Sequence, residues 1–215
     1  MSYIDQNNFF ALAYRTGTDN WTNIPFSRRA HELTLYVPKG GLVLDIGAGR
    51  GKTMFELASL GFRVIGLENN PDLIARGNET IKDRGLGSEV RFVHGDVLAI
   101  PLADKSFDAV VDMGLLQHMK PEDFKIYVEE IARALKQGGL FFLVVLSKKT
   151  ENFFSWHPRK SDTSDFLLEG VRYHFFSDDE IKALFEPDFD IRYINYDMPF
   201  GEKDTIYTVA LMRKK

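Results

Sequence analysis

The 215-residue chain is 44% hydrophobic and 27% charged, and its 27 Lys and Arg against 31 Asp and Glu leave a net charge of −4. At ~100 to 200 residues per domain this describes one domain with a sizeable core, and the acidic balance argues against nucleic acid as the main partner, which needs a concentrated basic surface. With no cysteine, disulfides, thiolate nucleophiles and Cys-ligated metal sites are excluded, a reducing compartment fits, and the chemistry falls to other side chains or to a cofactor.

The opening MSYIDQNN carries no basic then apolar leader, and residues 1–36 read as two helical pieces around a loop, Thr16 to Pro25, that holds Trp21. From residue 42, short β-rich runs alternate with helical patterns. Leu42 to Ile46 is a buried-strand run, followed by a Gly-rich turn and a helix from about Gly51 to Leu60. Phe62 to Leu67 is the second strand, and Asn70-Pro71 opens a helix to about Arg84, a capping side chain followed by Pro at the first helical position. Val90 to His94 and Phe107 to Asp112 are the third and fourth strands. A helix from Pro121 follows, with Phe124, Val128, Ile131, Ala132 and Leu135 on its core face. After Gly138-Gly139, Leu140 to Leu146 is a continuous apolar run suited to a strand covered on both faces, and far short of the ~20 residues that cross a bilayer. The chain is therefore expected in the cytoplasm, without a membrane partner.

The rhythm then breaks until Ser177-Asp178-Asp179-Glu180 supplies a capping box for one more helix. Two closing runs, Phe189 to Tyr196 and Thr205 to Met212, are joined by a loop suited to an antiparallel hairpin. The expected organisation is one domain over 1–215: an N-terminal helical lid (1–36), a core (37–146), a lid insertion (147–176), and a helix with the C-terminal hairpin (177–215).

Three ligand classes use a Gly-rich turn such as Val43-Leu44-Asp45-Ile46-Gly47-Ala48-Gly49-Arg50-Gly51-Lys52-Thr53. A dinucleotide fingerprint G-x-G-x-x-G would need a Gly where Lys52 stands. A phosphate-cradling G-x-x-x-x-G-K-[ST] would need one at Ile46, so the loop is a residue too short. The segment VLDIGAGRG resembles instead the first motif of class I S-adenosylmethionine-dependent methyltransferases, an acidic residue ending the first strand and then G-x-G-x-G. The resemblance continues in order through Glu68, Gly95-Asp96, Ile100-Pro101-Leu102 with Ser106-Phe107-Asp108, and Leu135-Lys136-Gln137-Gly138-Gly139, covering roughly residues 42–146.

The resemblance implies an α/β fold with a doubly wound, mostly parallel seven-stranded sheet and one antiparallel strand from the C-terminal hairpin. It implies S-adenosylmethionine as cofactor, S-adenosylhomocysteine as product, no metal, and cofactor contacts at Asp45, Gly47, Ala48, Gly49, Gly51, Glu68, Asn69, Asp96, Val97, Met113 and Leu115. Glu68 would accept from both ribose hydroxyls. Asp96 would accept from the adenine amino group while the Val97 N–H donates to the ring, and Asp45 would face the cofactor amino group. Taken singly, Asp45 also fits a cap for the following turn and Glu68 a solvated strand-end carboxylate. Arg50 and Lys52 read as a solvated helix start, and His118 as a residue packed near the cofactor.

Methyl transfer from a sulfonium needs alignment and exclusion of water more than any one catalytic side chain, so none is assigned. Asp112-Met113-Gly114-Leu115 stands where base and amide N-methyltransferases carry Asn/Asp-Pro-Pro-Tyr, which favours a small-molecule acceptor over a polymer. Acceptor contacts are expected from Tyr14, Arg15, Trp21 and Phe26 and from Phe153, Phe154, Trp156, His157 and Arg159, a mixture suited to a flat or anionic molecule, or to a lid that seals the cofactor. The competing readings are a non-catalytic adenosine-ligand domain and, behind it, a nicotinamide oxidoreductase.

Overall fold

The computed structural model describes residues 3–24, 31–150, 152–153, 157–158, 164–198 and 205–215. Helix α1 (Tyr3–Thr16) and a 3-10 turn (Asn20–Asn23) precede an alternation of β1 (Leu42–Ile46), α2 (Lys52–Ser59), β2 (Arg63–Glu68), α3 (Pro71–Asp83), β3 (Val90–His94), β4 (Phe107–Met113), α4 (Phe124–Ala134) and β5 (Leu135–Leu146). Two short antiparallel pairs follow, β6 (Asn152–Phe153) with β7 (His157–Pro158) and β8 (Asp165–Leu168) with β9 (Val171–His174). Helix α5 (Asp178–Phe185), β10 (Phe189–Asp197) and β11 (Tyr207–Lys214) close the fold.

The seven-stranded sheet has the order β10-β11-β5-β4-β1-β2-β3. All neighbours are parallel except β11, which runs antiparallel to both β10 and β5. The chain thus starts in mid-sheet, builds outward to β3, and returns to lay β4 against β1. Ligands of open α/β sheets settle at such a reversal, outside the carboxyl ends of the strands. Period-two alternation gives the sheet two cores. Val43, Val111, Phe142 and Val144 face Met54 and Leu57 of α2 and Ile81 of α3. Leu44, Val110, Phe141 and Leu143 face Val128 and Ile131 of α4 and Ile181 and Phe185 of α5. β5 is buried from Gly139 to Leu146 because it meets side chains on both faces.

Local chemistry sets most of the ends. Asn70 Oδ1 accepts from the N–H groups of Asp72 and Leu73 (2.9 and 3.4 Å) and Pro71 takes the first helical position of α3. Four sequence expectations are corrected. β5 begins at Leu135, not Leu140, because Leu135 pairs with Phe107 while Leu140 pairs with Ala109, so the intervening residues bulge out within the strand. The turn at Pro121–Asp123 is 3-10, and α4 starts at Phe124. Ser177 Oγ caps α5 by accepting from Glu180 N–H at 3.2 Å, but the Glu180 carboxylate turns to His174 Nε2 at 2.7 Å instead of completing a capping box. The C-terminal strands run two residues later at β11 than the apolar pattern suggested. Among the described residues, no helix is long and apolar enough to cross a membrane.

Candidate active site

The glycine turn between β1 and α2 is shaped by backbone conformations that only Gly adopts easily. Gly47, Gly49 and Gly51 have φ of 67, 56 and 78°. Gly47 and Ala48 donate N–H to Leu67 C=O (2.9 and 3.1 Å), folding the turn back over the end of β2. A Cβ on Gly49 would lie 2.7 Å from Tyr14 Oη, so the missing side chain lets α1 close onto the turn.

Three carboxylates stand on the strand ends around it, and each has a different task. Glu68 is 8% exposed; its Oε2 accepts from Gly49 N–H (2.8 Å) and its Oε1 from Asn69 and Asn70 N–H (3.0 and 2.9 Å). It therefore ties the glycine turn to the start of α3. A carboxylate has about four acceptor positions, so three are taken by backbone donors and one, on Oε2, stays open. Burial pushes its carboxyl up, against the pull of the three N–H donors. Asp112 is fully buried: its Oδ1 accepts from Gly114 and Leu115 N–H (2.8 and 2.6 Å), and its Oδ2 from Leu116 N–H (3.0 Å) and the Tyr127 hydroxyl. Burial raises it to about 6 despite those donors. Sequence reasoning missed this residue; the available signal was an acidic strand end two positions before Gly114.

Asp45 differs from both. It is 2% exposed, and among the described residues its Oδ2 has no hydrogen-bond partner, so it does not serve as a turn cap through that atom. Burial, then the nearby charges of Asp112 and Glu68, push its carboxyl well above the usual range. A buried carboxyl with an unpaired oxygen among two other acids, beneath a glycine turn, favours a cation nearby. That matches the ammonium and sulfonium charges of S-adenosylmethionine and disfavours phosphate.

The cavity at this edge has a volume of about 860 Å³, within the range of small-molecule sites. Gly47, Glu68, Asn69, Asp96, Val97, Met113 and Leu115 line it, whereas Asp45, Ala48, Gly49 and Gly51 do not and sit behind its wall. Asp96 is exposed, its Oδ1 accepting from Leu98 N–H at 2.9 Å, and Val97 is buried. Tyr207, at the start of antiparallel β11, joins Leu146 at the same edge.

The roof comes from the N-terminal segment and the β8–β9 hairpin, and it is fastened in two places. Gln6 Nε2 donates to His118 C=O (2.8 Å) while its Oε1 accepts from Arg172 N–H (3.0 Å). His118 Nδ1 sits 2.8 Å from Arg172 C=O, which fixes the proton on that nitrogen and leaves Nε2 to accept from Gln117 Nε2 at 3.2 Å. Burial lowers His118 to about 4, more than the Arg172 carbonyl raises it, so the ring is neutral at pH 7 and a weak base. The second fastening corrects the reading of Arg50 and Lys52 as solvated surface. Arg50 holds Asp19 through Nε–Oδ2 (2.7 Å) and Nη2–Oδ1 (2.8 Å) and also donates to Tyr14 C=O (2.7 Å). Lys52 Nζ donates to the carbonyls of Thr22 and Ile24 (2.9 and 3.0 Å). Burial raises the Asp19 carboxyl, but Arg50 and Thr22 outweigh it and leave it below the ordinary range. Phe26 and residues 154–156 and 159–160 lie outside the described residues, as do the side chains of Phe153 and His157; Arg15 is exposed and does not line the cavity.

Arg50→Ala should loosen the roof by about 1 kcal/mol, the value of a bidentate ion pair that is one-third open to solvent on the Arg side. Amide hydrogen exchange in residues 10–24 should quicken about fivefold while the sheet is unaffected; unchanged exchange there would show that the clasp does not hold the segment.

A doubly wound sheet in this strand order, with an acid-lined cavity at the reversal, defines the class I methyltransferase fold. The solved structure of 1,6-didemethyltoxoflavin-N1-methyltransferase from Burkholderia thailandensis superposes with a TM-score of 0.81 at 24% identity, covering 99% of this chain and 88% of that one. Residues 43–139 match the methyltransferase domain family. The chain is 37% identical over 123 residues to sterol 24-C-methyltransferase of Eremothecium gossypii, 57% of this chain and 32% of that enzyme. It is 29% identical over 152 residues to an uncharacterized methyltransferase of Synechocystis sp., 69% of this chain and 67% of that protein. The chain thus spans about a third of the sterol enzyme it matches.

Proposed function

We propose that this protein transfers the methyl group of S-adenosylmethionine to a small-molecule acceptor. The observation that carries the reading is a glycine turn over the buried Asp45 carboxyl, whose Oδ2 is unpaired among the described residues, behind the wall of a cavity whose described lining holds acids but no Lys or Arg. The methyltransferase domain match over the same residues supports it, and the acceptors named for the relatives, a sterol and 1,6-didemethyltoxoflavin, are small molecules.

When bound, the cofactor supplies an electrophilic methyl group on a sulfonium. The protein's residues hold and align it. Gly47 would let the backbone approach the ligand closely, with Ala48, Gly49 and Gly51 shaping the turn behind it and Asp45 buried beneath, where a cation nearby would favour its charged form. Glu68 accepts from one ribose hydroxyl with Asn69 beside it, Asp96 and the Val97 N–H select adenine, and Met113 and Leu115 form an apolar wall. The roof excludes water, which strengthens each of these electrostatic contacts. His118, neutral and fixed in one tautomer, orients the roof and is not required as a base.

Calorimetry with S-adenosylhomocysteine and NADH tests this directly. The thioether should bind and NADH should not; tight NADH binding with none of the thioether would sink the reading.

A further inference from the structure

The cavity lining has two unlike parts, which meet where Tyr14 closes on the glycine turn. One carries Glu68, Asp72 and Asp96 at the strand ends and the start of α3. The other is walled by five rings in unbroken edge-to-face contact. Tyr14 meets Trp21 (5.6 Å between centroids), Trp21 meets Phe10 (5.4 Å), Phe10 meets His118 (5.1 Å) and His118 meets Tyr173 (4.9 Å), with interplanar angles of 70–89°. These rings come from α1, the turn after it, the turn after β4, and β9, so four separate segments have converged on one apolar wall.

Two carboxamides near that wall are already committed to the protein. Gln6 spends its carboxamide on His118 C=O and Arg172 N–H. Gln117 Oε1 accepts from Leu146 N–H at 2.8 Å while its nitrogen donates to His118. Among the described cations around it, Arg50 is spent on Asp19, Lys52 on backbone carbonyls and Arg172 on Asp165. Among the described lining residues no Lys or Arg faces the cavity, and every ionisable carboxylate there, including Glu169 on the lid, is acidic. A carboxylate or phosphate seated against the rings would be stripped of water with no counter-charge among the described residues. A flat ring would instead find faces and edges for offset or T-shaped packing.

We propose that this ring-lined part is the acceptor subsite and that it takes a planar aromatic or heteroaromatic molecule bearing no negative charge. The proposal rests on the methyl-transfer reading, deepens it to a substrate class, and narrows the sequence expectation of a flat or anionic acceptor to the first. It assigns Phe10, Trp21 and Tyr173 as specificity residues, since they offer shape and no charge.

The test uses the full chain saturated with S-adenosylhomocysteine, whose own binding is measured first and decides the methyl-transfer reading separately. Three probes of one size are then titrated by calorimetry: 2-naphthol, planar and neutral; 2-naphthoate, planar and anionic; decahydro-2-naphthol, neutral and not planar. 2-Naphthol should bind at least tenfold more tightly than either of the others. Phe10→Ala should lower 2-naphthol affinity at least fivefold more than it lowers affinity for the thioether. Binding of 2-naphthoate or decahydro-2-naphthol as tight as that of 2-naphthol overturns the proposal. So does a loaded chain that binds no 2-naphthol at all.

Discussion

Replacing Asp112 by alanine should lower the unfolding free energy by about 3–5 kcal/mol, measured by urea denaturation followed by near-UV circular dichroism. The magnitude comes from what is left behind. Three backbone N–H groups, of Gly114, Leu115 and Leu116, and the fully buried Tyr127 hydroxyl all point at one carboxylate. Deleting it leaves these donors in a dry interior, and each unsatisfied group costs about 1–3 kcal/mol. Relaxation and entering water offset part of the sum. A loss under about 1 kcal/mol would mean that the turn after β4 re-forms its bonds without Asp112.

The same residue gives a pH signature with a definite sign. Its carboxyl titrates at about 6 in the folded protein against an ordinary 3.8, so the folded chain holds that proton more tightly than the unfolded chain. Its contribution to stability is full below the ordinary value, declines as pH rises from about 4 to about 6, and is constant above. The limiting slope is roughly 1.4 kcal/mol per pH unit for one proton. Asp112→Asn should remove one proton's worth of that slope. Asp45, raised in the same direction, should keep part of the decline in the variant.

What the residues disclosed and what they hid divide along sequence distance. The strands were legible because a parallel sheet buries both faces, and apolar runs such as Leu140 to Leu146 have no other soluble home. The start of α3 was legible because Asn70 and Pro71 act within three residues of themselves. The glycine turn was legible because positive φ favours Gly at fixed spacing. By contrast, Arg50 meets Asp19 across 31 positions, and Gln6 meets Arg172 across 166. Nothing local in either pair distinguishes a clasp from a solvated side chain. Asp112 was hidden for another reason: a carboxylate that organises a turn and one that greets a ligand look the same in a string of letters. Glu68 organises a turn through three backbone N–H groups that the sequence expectation of a ribose contact did not include.

Glu68 sets the second large effect. Glu68→Ala should weaken S-adenosylhomocysteine binding by about 1–3 kcal/mol, roughly fivefold to hundredfold in dissociation constant, through loss of charge-assisted hydrogen bonds. Part of the loss is direct, from the Oε2 position facing a ribose hydroxyl. The remainder is indirect, because Gly49 N–H and the Asn69 and Asn70 N–H groups lose the acceptor that holds the glycine turn against α3. Glu68→Gln separates charge and geometry from bulk. A carboxamide has one acceptor oxygen, so its NH₂ must face either Gly49 N–H or the Asn69–Asn70 pair, donor against donor. Gln should therefore recover little of the affinity, and full recovery would show that the side chain matters only as filler. Adenosine alone supplies the positional control. It shares the ribose and lacks the methionine, so it should lose affinity by a similar factor. A variant that binds adenosine normally and the thioether poorly would move Glu68 away from the ribose and toward the amino-acid end of the cavity.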